Sequence, residues 1–520
     1  MTIVTGVHDL LMRMATERPH AAALTYRDET VTYAALRAAV RSFAAHLPDY
    51  EVARGDRVAI YLEKRIETVT AMFATSAVGA MFVPINPVLK PAQVAHILRD
   101  SGARLLVTSS DRLSQLAEVV VQTDVAHVLC IGEPMTTARK RIPGVGVHPW
   151  PSPAEPQAAP AAVVDSDAAA ILYTSGSTGK PKGVVLSHRN MVVGAESVSS
   201  YLGNTPDDVI LSVLPLSFDA GLSQVTTAFA VGAHCVLMNY LFPQDVPRLC
   251  EKHGVTAITC VPPLWRQLMS VPWPAQTAHR IRYWANTGGR MPKSTLDLLR
   301  GTFTAASAFL MYGLTEAFRS TFLDPAEVDR RPDSIGKAIP NAEVLVLGPD
   351  GRRCAPGEPG ELVHRGPLVA LGYWNDAPRT AERFRELPHE GQPWRSPERV
   401  VWSGDTVVAD DEGFLYFVAR SDEMIKTSGY RVSPTEIEEA AYATGLVEDA
   451  VALGVDDADL GQRIVLVVAG PRDEGAALLT ALRKALPMYM VPGLVVCRPE
   501  LPRSPNGKFD RALIRQEVAA

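Results

Sequence analysis

Apolar residues fall into short β-branched runs that alternate with stretches of helical period. Residues 58–62 read as a strand and 66–78 as a helix, with further strands at 105–108 and His127–Ile131. The pattern recurs with strands at 210–213, 235–238 and 257–261 and helices at 223–231 and Asp245–His253. Alternation of this kind predicts parallel or mixed sheets covered by helices. From 335 to 369 the texture changes to short strands and turns: Glu343–Leu347, the turn Pro349-Asp350-Gly351, and 361–364. This predicts a small β-rich subdomain. After Arg420 a compact tail follows, with helices at 434–442 and 476–486 and strands at 450–455, 464–468 and 494–497. The tail is long enough for a core of its own. The expected fold class is α/β, with a large N-terminal domain of mixed sheets, covering helices and a β-rich subdomain, then a small α+β C-terminal domain. The boundary is drawn between 1–420 and 421–520.

One segment interrupts this pattern. The apolar run 168–172 stops at Tyr173-Thr174-Ser175-Gly176-Ser177-Thr178-Gly179-Lys180-Pro181-Lys182-Gly183, and 184–186 then reads as a second strand. A buried strand delivering a Gly/Ser/Thr loop can fold N–H groups and hydroxyls around phosphate oxygens, with lysines supplying charge. It is not a Walker A loop: Pro181 follows Lys180, and no glycine stands five residues before Gly179.

Composition narrows the function classes. Hydrophobic content of 47% and charged content of 21% are those of an ordinary globular protein. A net charge of −6 gives no basic footprint for nucleic acid or a membrane surface. The six cysteines are scattered without a C-x-x-C pair, which predicts reduced thiols rather than a disulfide or zinc framework. The N-terminus lacks the apolar core of a signal peptide, and no run is long enough to span a membrane. The expected location is cytoplasmic.

Four further motifs follow the loop: Tyr312-Gly313-Leu314-Thr315-Glu316, Trp402-Ser403-Gly404-Asp405, Arg420-Ser421-Asp422 with Gly429, and Pro505-Asn506-Gly507-Lys508. Together the ordered motifs resemble the adenylate-forming superfamily of acyl-CoA synthetases, peptide-synthetase adenylation domains and luciferases, over nearly the whole chain. The resemblance implies an ATP- and Mg²⁺-dependent ligase that makes an acyl-adenylate and then a thioester. It implies that Thr174, Ser175, Gly176, Ser177, Thr178, Gly179 and Lys182 grip the β- and γ-phosphates. Tyr312 and Gly313 would face adenine, with Gly288, Gly289 and Arg290 on the adenine side. Thr315 would donate to the α-phosphate, and Glu316 would hold Mg²⁺. Asp405 and Arg420 would bind ribose. Lys508 would balance charge between the attacking carboxylate and the α-phosphate, and Asp422 would be the hinge of a mobile C-terminal domain. Rotation about it would withdraw Lys508 and bring Gly429 beside a thiol channel.

The acid has to be read from local residues. Leu214-Pro215-Leu216-Ser217-Phe218-Asp219-Ala220-Gly221-Leu222 sits where the family lines its acyl pocket. A buried carboxylate there needs a partner, and a substrate ammonium would supply one. Phe218 and Asp219 resemble the Phe-Asp of amino-acid-activating domains; the alternative is an Asp that caps the helix starting near Leu222. Phe318, Arg319 and Ser320 are expected to border the same pocket, Phe318 making it apolar and Arg319 either meeting a second carboxylate or forming a surface ion pair. The chain also resembles the stand-alone enzymes that activate β-amino acids for macrolactam polyketide assembly, with Phe318 favouring an apolar substrate over a diacid. The acceptor is expected to be an acyl carrier protein in trans, or coenzyme A. The alternative function is an AMP-forming acyl-CoA ligase for an amino-free acid. Retention of Thr315, Glu316, Asp405 and Lys508 argues against a catalytically silent protein of this fold. Ser428 stands where luciferases have a second lysine.

Overall fold

The computed structural model describes residues 4–132, 142–153, 161–174, 181–289, 291–387, 394, 397–420, 423, 425–427, 430–457, 460–470, 475–486, 488–505 and 507–519. Among these residues the chain forms sheets of fourteen, eight and five strands. In the eight-stranded sheet, Arg57–Tyr61 lies parallel between Met81–Pro84 and Leu105–Ser109, with His127–Ile131 next to the latter. Val58, Ala59 and Ile60 are all buried, as expected of strands covered on both faces. The far flank changes sense. Ala168–Thr174 pairs antiparallel with Lys182–Ser187, and the two-residue strand Gly372–Tyr373 is added at the edge. The Gly/Ser/Thr segment therefore joins two strands of one hairpin, with Thr174 opposite Lys182.

The parallel half of the fourteen-stranded sheet contains Val209–Ser212, Ala257–Cys260, Tyr283–Asn286 and Ser307–Tyr312. Thr321–Leu323 then reverses direction. Pairing continues through Ser334–Ala338, Leu415–Arg420, Glu398–Ala409, Pro359–Arg365 and Glu343–Leu347. The β-rich segment is thus the antiparallel end of this sheet and not a detached layer. That continuity places Asp405, near one end of the antiparallel half, beside Tyr312 at the end of the parallel half.

The five-stranded sheet comprises Ile425–Thr427, Tyr430–Val432, Asp449–Asp457, Gly461–Ala469 and Leu494–Arg498. It has a separate core that includes Ile437, Leu466, Leu478 and Leu482. The fold is mixed α/β with a large N-terminal and a smaller C-terminal domain. Among the described residues no helix is long and apolar enough to cross a membrane. Cys235, Cys250 and Cys260 are buried free thiols, and Cys130 is buried.

One helix starts earlier than its pattern suggests. The helix expected at 223–231 runs Asp219–Val231, with Phe218 extended before it. Its first twelve residues are all buried, so no polar face marks where it begins. Gly221 permits the early start: a Cβ there would lie 1.9 Å from the Pro215 carbonyl oxygen. The first helical turn is pressed directly onto the loop that precedes it.

Candidate active site

Strand ends of both large sheets converge on one cleft. At the hairpin mouth, the buried Thr174 hydroxyl has no hydrogen-bond partner among the described residues. Ser175, Gly176, Ser177, Thr178 and Gly179 lie outside the described residues, as do Arg290, Asp422 and Gly429. Lys182 Nζ donates to Glu316 Oε1 at 2.9 Å and to the Tyr373 hydroxyl at 2.7 Å. The Tyr373 hydroxyl in turn donates to Glu316 Oε1 at 2.7 Å. Burial would raise the Glu316 pKa, but the Lys182 charge and the bonds from Tyr373 and Lys182 outweigh it and hold the carboxyl below its usual range. Glu316 is therefore an ionised oxygen donor.

Tyr312 ends the strand Ser307–Tyr312, and its hydroxyl donates to Asp405 Oδ2. Its ring lies nearly parallel to that of His364, with centroids 6.2 Å apart. Burial pushes His364 down to about 3, so this imidazole is neutral. Asp405 is set by its own backbone: its N–H donates to Ser403 Oγ, and Ser403 donates to the Leu362 carbonyl. In register, Asp405 lies opposite Arg420; the side chain of Arg420 lies outside the described residues. Thr315 is buried, one residue before Glu316.

The C-terminal tail reaches the same cleft. Ser504 N–H donates to the Lys508 carbonyl at 2.7 Å, closing the tight loop that presents the lysine. Asn86 donates to the Pro505 carbonyl at 3.2 Å and ties this loop to the N-terminal half. Lys508 Cε lies 3.4 Å from where a Cβ on Gly288 would stand, and Phe218 Cζ lies 3.8 Å from that same point. Lys508 Nζ sits 5.8 Å from the centre of the Phe218 ring. Gly288 has φ +75°, which favours glycine, and its open side admits the lysine. Asn286 Nδ2 donates to the Gly289 carbonyl and closes that loop. A Cβ on Gly313 would lie 3.4 Å from the Arg319 Cα, an ordinary contact. Spacing along the chain does not reveal the contact between the tail and Arg266. Asp449 accepts from Arg266 of the N-terminal half and from Arg503 of the tail itself. Within the tail, Arg503 pairs with Asp449 and Arg498 with Glu517.

Asp219, next to Phe218, is 3% exposed. Its Oδ1 accepts from the Ala220 N–H at 2.8 Å. Among the described residues no ammonium or guanidinium stands at ion-pair distance from it. Burial raises its pKa, opposed by the more distant charges of Arg319 and Lys508, and the net direction is upward. Asp219 lies within the first turn of its helix, so it is not the N-cap that the alternative supposed.

Two expectations need correction. Phe318 does not face the pocket. Its φ of +52° turns it into the core, fully buried over Gly194 beside Leu368. Arg319 is not a surface residue: it is 4% exposed, donates weakly to Thr287 Oγ1 at 3.4 Å, and leaves its Nε without a partner among the described residues. Arg319 lines a cavity of about 20 Å³ together with Val198, Ser223, Thr227 and Thr259. A wider groove of about 1130 Å³, bordered by Tyr61, Arg65, Lys90 and Arg112, contains none of the residues expected in the site.

Comparison with known proteins agrees with this geometry. Residues 11–374 match the family described as AMP-binding enzyme, and 436–508 match the AMP-binding enzyme C-terminal domain. A long-chain-fatty-acid–CoA ligase of Escherichia coli O157:H7 is 31% identical over 94% of this chain and 90% of that protein. An L-proline–[L-prolyl-carrier protein] ligase of Pseudomonas fluorescens is 30% identical over 98% of this chain and 99% of that protein. The o-succinylbenzoate CoA synthetase of Bacillus subtilis, solved with its acyl-adenylate intermediate, superposes with a TM-score of 0.82 at 28% identity, covering 98% of each chain. With the family match spanning most of its length, the chain belongs to the AMP-binding, adenylate-forming ligases.

Proposed function

We propose that this enzyme activates an amino acid, with a β-amino acid as the preferred class, and passes it to the phosphopantetheine thiol of a separate carrier protein. Asp219 carries this reading. It is a buried carboxylate at the acyl pocket with no cation at ion-pair distance among the described residues. A buried charge of that kind is costly until it is paired, and a substrate ammonium pairs it. The prolyl-carrier ligase among the relatives shows that amino-acid activation occurs at this level of similarity.

In the first half-reaction a carboxylate oxygen of the acid bonds to the α-phosphorus of ATP. The bond from that phosphorus to the bridging oxygen breaks, and pyrophosphate leaves. We assign Lys508 to the charge shared by the carboxylate and the α-phosphate, and Thr315 to a hydrogen bond on that phosphate. Thr174, Lys182 and the loop between them take the β- and γ-phosphates. Tyr312, Gly313, Gly288, Gly289 and Arg290 take adenine, and Asp405 with Arg420 the ribose. The residues fit Mg²⁺. The ion commonly binds through one or two carboxylates plus phosphate oxygens, and Glu316 offers one ionised oxygen donor facing a cation already at 2.9 Å. When bound, the ion would neutralise phosphate charge. In the second half-reaction the thiol sulfur attacks the acyl carbon, AMP leaves, and the thiol proton passes to solvent. We place the hinge for this step at Asp422, between domains 1–420 and 421–520, with Gly429 at the thiol channel.

A second reading follows from Arg319. A buried guanidinium with an unpartnered Nε is suited to a carboxylate, which favours a β-amino diacid. Asp219→Ala tests the ammonium role on which both readings rest. It should abolish pyrophosphate release with amino acids and spare amino-free acids of the same size. Equal loss with both classes would refute the ammonium role.

A further inference from the structure

The site contains a residue that none of the nucleotide motifs includes. Tyr373 belongs to a two-residue strand that fastens the two halves of the phosphate site together. Leu371 N–H donates to the Val185 carbonyl, and Trp374 N–H to the Gly183 carbonyl, so the segment is pinned to the strand that carries Lys182. Ala370 N–H donates to the Glu316 carbonyl, so the same segment also holds the turn that carries Glu316. Gly372, at φ +137°, allows the close passage, since a Cβ there would meet Thr380 at 2.7 Å. The Tyr373 ring is wedged edge-on against Phe384 and lies under Lys182 Nζ at 4.2 Å.

The direction of the hydrogen bonds gives this placement a consequence. Lys182 has donors only, so the Tyr373 oxygen accepts from it and the Tyr373 proton must point at Glu316 Oε1. Both the ammonium and the phenol converge on that one carboxylate oxygen. If Lys182 turns to a phosphate, Glu316 loses its cation while remaining buried. The phenol proton still holds Oε1, which leaves Oε2 to meet the cation.

We propose that Tyr373 is a positioning residue for the metal-binding carboxylate, presenting Glu316 Oε2 to the cation and retaining Oε1. The proposal rests on Glu316 being the metal ligand. Tyr373→Phe is the appropriate change, because it keeps the ring, its packing and its place under Lys182 while removing one oxygen. The readout is equilibrium ATP binding by calorimetry, with EDTA and with Mn²⁺ as the metal probe, beside pyrophosphate release. Metal-free ATP binding should stay within about twofold of wild type. The gain in affinity on adding Mn²⁺ should fall about tenfold, the scale of one hydrogen bond to a charged group. KM for the acid should not move. In the Glu316→Gln background, Tyr373→Phe should add nothing, because its route of action is already gone. An unchanged metal-dependent gain in Tyr373→Phe, with Glu316→Gln abolishing that gain, would overturn the positioning role alone. An unchanged gain in Glu316→Gln would overturn the metal-ligand assignment and this role with it. Equal loss with EDTA and with Mn²⁺ would mark Tyr373 as a structural residue only.

Discussion

Lys508 reaches the acyl site only while the tail is held against the N-terminal half, and Arg266 is the side chain through which Asp449 of the tail is held there. Arg266→Met keeps most of the stem and removes the charge. The pair is partly buried, with the arginine 27% and the aspartate 14% exposed. A hydrogen bond between charged groups is worth about 1.5–3 kcal/mol when shielded, and exposed pairs far less. For this geometry about 1–2 kcal/mol is expected, or roughly a 5- to 30-fold weakening of the docked arrangement. The Asp449–Arg503 pair within the tail survives, so the small domain keeps its own fold. The two half-reactions should separate. Acyl-adenylate formation, followed as ATP–pyrophosphate exchange, should slow by about 5- to 30-fold. Under the proposed rotation about Asp422, thioester formation from supplied acyl-adenylate should not slow, because that step would use a different arrangement. Equal slowing of both half-reactions, or of neither, would refute the claim that this ion pair selects the adenylating arrangement.

Two further outcomes concern the segment from Ser212 to Gly221 and its neighbours. Lys64 is buried, donates to the Ser212 and Leu214 carbonyls at 2.9 Å each, and is pushed down by burial to about 7. Its ordinary value is 10.5, so between those limits the unfolded chain binds more protons than the folded one, and stability rises with pH across that window. The melting temperature of wild type relative to Lys64→Met should therefore climb from pH 7 to pH 9.5; a constant difference would refute the buried, depressed ammonium. Gly221→Ala should destabilise by about 2–3 kcal/mol through overpacking, since its methyl would overlap the Pro215 carbonyl; an unchanged denaturation midpoint would refute the close contact.

The parallel strands were legible because burial on both faces leaves continuous apolar runs, as at Val58, Ala59 and Ile60. The nucleotide motifs were legible because each carries unusual residue types in fixed order. The start of the helix at Asp219 was not, because a helix buried all round has no polar face to mark its register. The exchange of roles between Phe318 and Arg319 was not legible either. A positive φ at Phe318 goes with a ring packed against Gly194 while the next side chain reaches Thr287, which one-dimensional spacing cannot reveal. Tyr373 and Glu316 are 57 residues apart, and Arg266 and Asp449 are 183 apart. A glycine-tyrosine pair and a lone aspartate carry no chemical signal until the fold brings their partners to them.

The central claim is that Asp219 awaits an ammonium. The most direct measurement is ATP-dependent pyrophosphate release, driven by hydroxylamine, across α-amino, β-amino and amino-free acids of matched size, with β-amino diacids included. Preference for the β-amino class is the expected result, and the diacid arm then reports whether Arg319 takes a second carboxylate. Equal or faster turnover of the amino-free acids would contradict it and leave an acyl-CoA ligase for acids without an amino group.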